Sequence, residues 1–294
     1  MSIHQIIFSL LLCLISGSLS AQDSLMAILD METEEPVQYA FATFKSTRVV
    51  TGQSVERMKA RQLEFRISHR FGRLNSGSYE AFGLDQSTIH YGLEYGITDW
   101  FTVGIGRGTF EKTSDAFYKI TLLRQSKGEK LMPVSVSLVG SIAVNGMHSP
   151  FDTLDWYFSN RLAYCHQLLI ARKFNDQLSL QLSPTYIHRN LVKTETDPND
   201  VFALGIAGRY KLTKRISVNG EYYLAITPGS NIMDTPINNP LSFGFDIETG
   251  GHVFQIHLTN SLGMIDKSYV TQTTGHWKHG DVHLGFNISR VFAF

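Results

Sequence analysis

Apolar and polar residues alternate with period two over long stretches of this chain, the pattern of strands that turn one face to an apolar medium. In residues 88–97, Ile89, Tyr91, Leu93, Tyr95 and Ile97 share one face, and Thr88, His90, Gly92, Glu94 and Gly96 share the other. Residues 202–212 repeat the pattern, with Phe202, Leu204, Ile206, Tyr210 and Leu212 opposite Ala203, Gly205, Ala207, Arg209 and Lys211. The alternation predicts strands at 62–71, 87–97, 100–110, 116–125, 133–144, 157–172, 177–188, 201–212, 215–227, 241–248, 252–261 and 282–293. Soluble strands usually run about 5–6 residues, whereas a tilted membrane-crossing strand needs about 9–11. Most of these segments reach the longer figure. The expected fold is all-β, a transmembrane antiparallel up-and-down β-barrel of about twelve strands over residues 62–294.

The connections point the same way. Short links at Thr98-Asp99, Asn175-Asp176, Thr213-Lys214 and 249–251 interleave with long ones at 145–155, 190–200, 228–240 and 262–280. Short turns on the periplasmic side and long loops outside are the habit of outer-membrane barrels. The link at 126–131 fits least well. The final strand places Phe286, Ile288, Phe292 and Phe294 on one face, interrupted by Arg290 near its end. A last strand ending in an aromatic residue is expected to be read by barrel-assembly machinery through Phe294.

Residues 6–15, IIFSLLLCLI, precede the small residues of SGSLSAQDS. That order is the pattern of a cleaved secretory signal, expected to cover residues 1–21. No later stretch reaches the apolar length of a spanning helix, so a membrane location requires a barrel. The mean hydropathy of −0.06 suits strands with only alternate residues in lipid. Lys plus Arg and Asp plus Glu balance at 26 each, which gives no electrostatic reason to expect nucleic acid as a partner. With Cys13 removed in the signal, Cys165 is left alone, without a disulfide partner or a cysteine-based metal site.

Residues 22–61 form a lead-in, acidic at Asp23, Asp30, Glu32, Glu34 and Glu35 and basic at Lys45, Arg48, Arg57, Lys59 and Arg61. It is either a flexible periplasmic segment or a plug, the second reading resting on Phe41, Phe44, Val49 and Val50.

The inferred inner face carries Glu64, Arg66, Arg70, His90, Glu94, Arg209, Lys211, Asn219, Glu221, Asp246, Glu248, His257, His283 and Asn287. Buried charges need partners, so Glu and Arg on neighbouring strands are expected to pair. These residues either fill a narrow lumen or line a path for a small solute. His276 and His279, with His252, His257 and His283 near in sequence, offer only a weak metal pattern. Ser159, Asn160 and His166 are fragments of a hydrolase arrangement, and a regular strand would put Ser159 and His166 on opposite faces. No cofactor is expected, and the chain is not expected to be an enzyme.

Three segments are familiar: FKSTRVVTGQSVE at 44–56, LEFRISHRFG at 63–72 and GFNISRVF at 285–292. Together they resemble an uncharacterised outer-membrane β-barrel family of Bacteroidetes-type bacteria. The resemblance implies the fold and the location and brings no activity or catalytic residues. The functional expectation is a small-solute channel or transporter, with a filled structural or interaction barrel acting through its outer loops as the alternative.

The chain should therefore fractionate with the outer membrane, in contact with its lipid, and run with heat-modifiable mobility on a gel. Its mature N-terminus should be Ala21 or Gln22 by N-terminal sequencing. An uncleaved cytosolic chain would contradict both location and fold.

Overall fold

The computed structural model describes residues 36–148, 157–192, 194, 195, 197–226 and 237–294. The expected signal at 1–21, the acidic half of the lead-in and most of the loops at 145–155 and 228–240 lie outside the described residues.

Twelve antiparallel strands close into a barrel. They are β2 (Gln62–Arg73), β3 (Ser87–Gly96), β4 (Phe101–Gly108), β5 (Ser114–Leu123), β7 (Ser135–Val144), β8 (Leu162–Lys173), β9 (Leu178–Arg189), β10 (Asp200–Lys211), β11 (Ile216–Ala225), β12 (Leu241–Thr249), β13 (His252–Thr259) and β14 (His283–Ala293). Each pairs with its neighbours in chain order, and β14 returns to β2 with Asn287 opposite Ser68 and Ser289 opposite Arg66. The last described backbone bond continues this seam, from Phe294 N–H to Arg61 O at 3.1 Å.

The alternation sorts side chains as the sequence implies. Phe202, Ile206, Phe243, Phe245 and Ile256 face outward and are each about half exposed, while Ala203, Ala207, Ser242 and Gln255 on the same strands are buried inside. A soluble surface would not expose such a belt; hydrocarbon is its natural solvent. Inward glycines on β4 make room for large neighbours. A Cβ at Gly106 would come within 2.5 Å of the His90 ring.

Several strand boundaries differ from expectation by two residues or more. The segment predicted at 157–172 begins only at Leu162, because Phe158–Arg161 forms a 3-10 turn above the wall. The strand predicted at 116–125 is shifted to Ser114–Leu123, and that predicted at 252–261 ends at Thr259. The irregular link after β5 has a structural reason. It contains β6 (Ser126–Lys127), which pairs with β1 (Gln38–Tyr39) of the lead-in and ties it beside the periplasmic mouth.

Among the described residues, two segments enter the tube. Residues 43–58 run inside from the periplasmic end, with Phe44, Val49, Val50, Val55 and Met58 buried. Phe41 stays outside, 76% exposed, and so contributes nothing to the buried part of that segment. From the opposite end, the loop at 260–282 bends inward. It carries α1 (Asp266–Thr271), whose Tyr269 and Val270 pack with Cys165, Ile187, Val201, Ala203 and Tyr223. That loop is therefore only partly an outer loop.

Leu204 faces outward at mid-strand and Ala203 faces α1. Leu204→Arg should impair insertion by about 2–4 kcal/mol, the cost of a charge near the midplane. Alternation alone would make Ala203→Ser harmless, but its apolar surroundings make it cost about 1–3 kcal/mol for a buried hydroxyl. Folding equilibria in lipid vesicles measure both costs, and a Leu204→Arg barrel as stable as the native one would contradict the register.

Candidate functional site

The site is the interior, where residues 43–58 meet the wall. Residues 47–54 make a tight hairpin: Val49 N–H bonds Gly52 O at 2.9 Å and Ser54 N–H bonds Thr47 O at 2.9 Å. A hairpin this short satisfies few of its own main-chain groups, and each buried one left over needs a partner. The wall supplies them.

At the tip, the Glu221 carboxylate accepts the N–H groups of Thr51 at 2.7 Å, Gly52 at 3.0 Å and Val50 at 3.3 Å. Gly52 is required there, since a Cβ would lie 2.5 Å from the Tyr223 hydroxyl. Asn287 Nδ2 donates to Val50 O at 2.8 Å, and Gln255 Nε2 to Val49 O at 2.8 Å. Arg70 donates to the Thr51 hydroxyl at 2.8 Å.

Lower down, the Gln181 amide clasps both sides of one peptide stretch. Its Nε2 donates to Gln53 O and its Oε1 accepts from Val55 N–H, each at 2.8 Å. The Lys119 ammonium donates to Thr47 O, Ser54 O and Glu56 O at 3.3, 3.0 and 2.8 Å. Arg66 reaches the hydroxyls of Ser46 at 2.7 Å and Thr47 at 2.6 Å while pairing with Glu64. At the mouth, Arg209 donates to Ala42 O at 2.8 Å, and Lys45 pairs with Glu248.

Arg48 joins the two inserted segments. Its guanidinium lies 3.5 Å from Glu94 on β3 and 3.7 Å from Asp266 on α1. Tyr269 continues the contact on the other side, its hydroxyl 2.6 Å from Ser242. A cavity of about 100 Å³ remains at the mouth, between Lys45, Glu56, Arg57 and the ends of β13 and β14.

The expected inner-face residues are thus largely brought together, but not as expected. Among the described residues Glu and Arg form no salt bridge across neighbouring strands: Glu64 and Arg66 pair along one strand, and Arg70, Arg209 and Glu221 turn to residues 42–52. His90 bonds Asp115 at 2.7 Å, and Asp246 accepts from Gln255 at 2.8 Å. His283 donates to Phe71 O at 2.9 Å, His257 is buried on β13, and Lys211 sits half-buried at the end of β10. Lys119, Gln181 and Gln255 were missed as site residues, although the same alternation turns all three inward.

The other candidates do not converge. The rings of His276 and His279 stack at 4.6 Å, but His252 lies on an outward position of β13 beside Phe254. Hydrogen bonds from Asn75 and from the His276 N–H occupy the Asp281 carboxylate and hold it below the usual carboxylate range. Among the described residues no cluster of three or more metal-binding side chains forms. Ser159 sits in the turn above β8, while His166 faces outward against Tyr186.

Replacing Lys119 by Met removes three charge-assisted bonds, each worth about 1.5–3 kcal/mol. Trypsin should then cut after Arg48 at least ~10-fold faster in the micelle-bound chain, since about 1.4 kcal/mol is tenfold. An unchanged cleavage rate would show that Lys119 does not hold the segment.

No curated protein sequence matches the chain. Solved structures with a similar course include the NanC porin, 10% identical with a TM-score of 0.47 over 79% of this chain and 99% of that one. The KdgM porin is 8% identical, with a TM-score of 0.45 over 79% and 99% of the two chains. An outer membrane channel from Pseudomonas putida F1 is 10% identical, with a TM-score of 0.44 over 81% and 97%. A family model described as a membrane bound beta barrel domain (DUF5777) matches residues 44–292, from the inserted hairpin to the last strand. The chain belongs to that family, and by its closure and lipid-facing belt it is an outer-membrane β-barrel.

Proposed function

We propose that the protein is a self-plugged channel for small polar solutes, closed while residues 43–58 occupy the lumen and conducting when they move aside. The observation that carries this reading is the chemistry of the plug's contacts. Lys119, Gln181, Glu221, Gln255 and Asn287 hold it by bonds to its main chain. Water can replace such bonds, each contributing only about 0.5–1.5 kcal/mol net, or about 1.5–3 where a charge is involved. The apolar share is small: Phe44, Val49, Val50 and Val55 against Ala171 and Ala207. Withdrawal of the segment would leave a wetted wall bearing both signs of charge, a suitable lining for a polar solute.

A second reading, a permanently filled structural or interaction barrel, is favoured by α1. Tyr269 and Val270 pack against the wall towards the other end in an apolar cluster with Cys165, Ile187, Val201 and Tyr223, a contact that water cannot replace.

Planar-bilayer recording separates the two. The full chain should be quiet, Lys119→Met with Glu221→Gln should open intermittently, and a chain lacking residues 38–56 should conduct steadily. Silence from all three, with heat-modifiable mobility retained, would contradict the channel and leave the filled barrel.

A further inference from the structure

We propose that the periplasmic rim is a docking surface for anionic phospholipid headgroups of the facing leaflet. The chain is neutral overall, but two links on this rim are strongly basic. The turn after β10 carries Lys211, Lys214 and Arg215 with no acidic residue among residues 209–220. The link after β5 sets Arg124, Lys127 and Lys130 against a single Glu129. Of the acidic groups elsewhere on this rim, Asp99 receives the Ala60 N–H at 3.1 Å, Glu248 pairs with Lys45, and the exposed Asp176 lies 3.6 Å from Lys173.

Three arginines on this rim share one arrangement. Arg124 lies over the Tyr39 ring with its guanidinium carbon 3.9 Å from the centroid, Arg172 over Phe174 at 5.1 Å, and Arg290 over Phe292 at 4.8 Å. All three arginines are exposed. Among the described residues none of the three forms a salt bridge. Arg172 and Arg290 occupy outward positions, opposite Leu180 on one side and Phe65 on the other. Their stems lie along lipid-facing surface while the heads reach toward the polar interface.

A guanidinium stacked on an aromatic face keeps its N–H edge free, and that edge matches phosphate oxygens in a two-pronged fit. Aromatic rings at this depth belong to the interfacial girdle, so the free edges stand at headgroup level. Basic residues there attract anionic lipid. Arg290, which interrupts the apolar face of the last strand, acquires a role on this account. The lipid chemistry is independent of whether the plug moves.

The experiment uses the full chain in phosphatidylcholine bilayers, with spin-labelled phosphatidylglycerol or spin-labelled phosphatidylcholine as probe. The motionally restricted fraction gives the relative association of the two lipids. The native barrel should prefer phosphatidylglycerol several-fold, and raised salt should reduce the preference. The triple variant Arg124→Gln, Arg172→Gln and Arg290→Gln should lower the ratio at least twofold while retaining heat-modifiable mobility; if it does not fold, Arg172→Gln alone should lower the ratio part-way. A native ratio of one would overturn the proposal. So would an undiminished preference in the folded triple variant or, where that does not fold, in Arg172→Gln, or a rim that binds soluble acidic peptides but does not discriminate between the lipids.

Discussion

In hydrocarbon no water replaces a missing backbone hydrogen bond, and each unpaired group costs several kcal/mol. The seam between β14 and β2 is therefore the interaction on which the rest depends. It pairs residues 283–293 with 62–73 and leaves the sheet without an edge. Closure forces the second feature of the molecule. Twelve strands enclose a space whose wall is lined by Arg66, Arg70, Lys119, Glu64, Glu94 and Glu221, all buried. Such charges need either water or fixed partners.

The plug supplies fixed partners, and the requirement is reciprocal. A hairpin with no sheet of its own carries main-chain groups that must be met inside the tube. Glu221 meets three N–H groups at the tip, Lys119 three carbonyls at the base, and Gln181 one of each between them. Each bond serves the wall and the plug at once. Arg48, held between Glu94 and Asp266, extends the network to α1, so the two inserted segments share a charged contact. The family match starting at Phe44 includes this hairpin in the domain.

The barrel was legible because a period of two is a local property. Ile89 and Tyr91 facing lipid, and His90 and Glu94 facing inward, follow from it. The filling was not legible, because it depends on which distant segment enters the tube. Lys45, Arg48 and Arg57 look like an ordinary basic stretch until Glu94 and Glu248 stand beside two of them. Charge complementarity along the wall suggested Glu–Arg pairs between strands, but the hairpin's unmet amides and carbonyls compete for the same side chains and take most of them. Phe41 and Phe44 are equally apolar, yet only Phe44 lies beyond the mouth. Likewise, nothing in the sequence around Asp266 signals that an acidic residue will be buried there. Its partner is 218 positions away in the chain.

The central claim is that the chain fills its own lumen. Amide hydrogen exchange of the lipid-embedded full chain tests it directly. The N–H groups of Val49, Thr51, Gly52, Ser54 and Val55 should exchange about as slowly as those of the neighbouring strands. Exchange of these amides at the rate of an unstructured peptide, with the strand amides still protected, would contradict it.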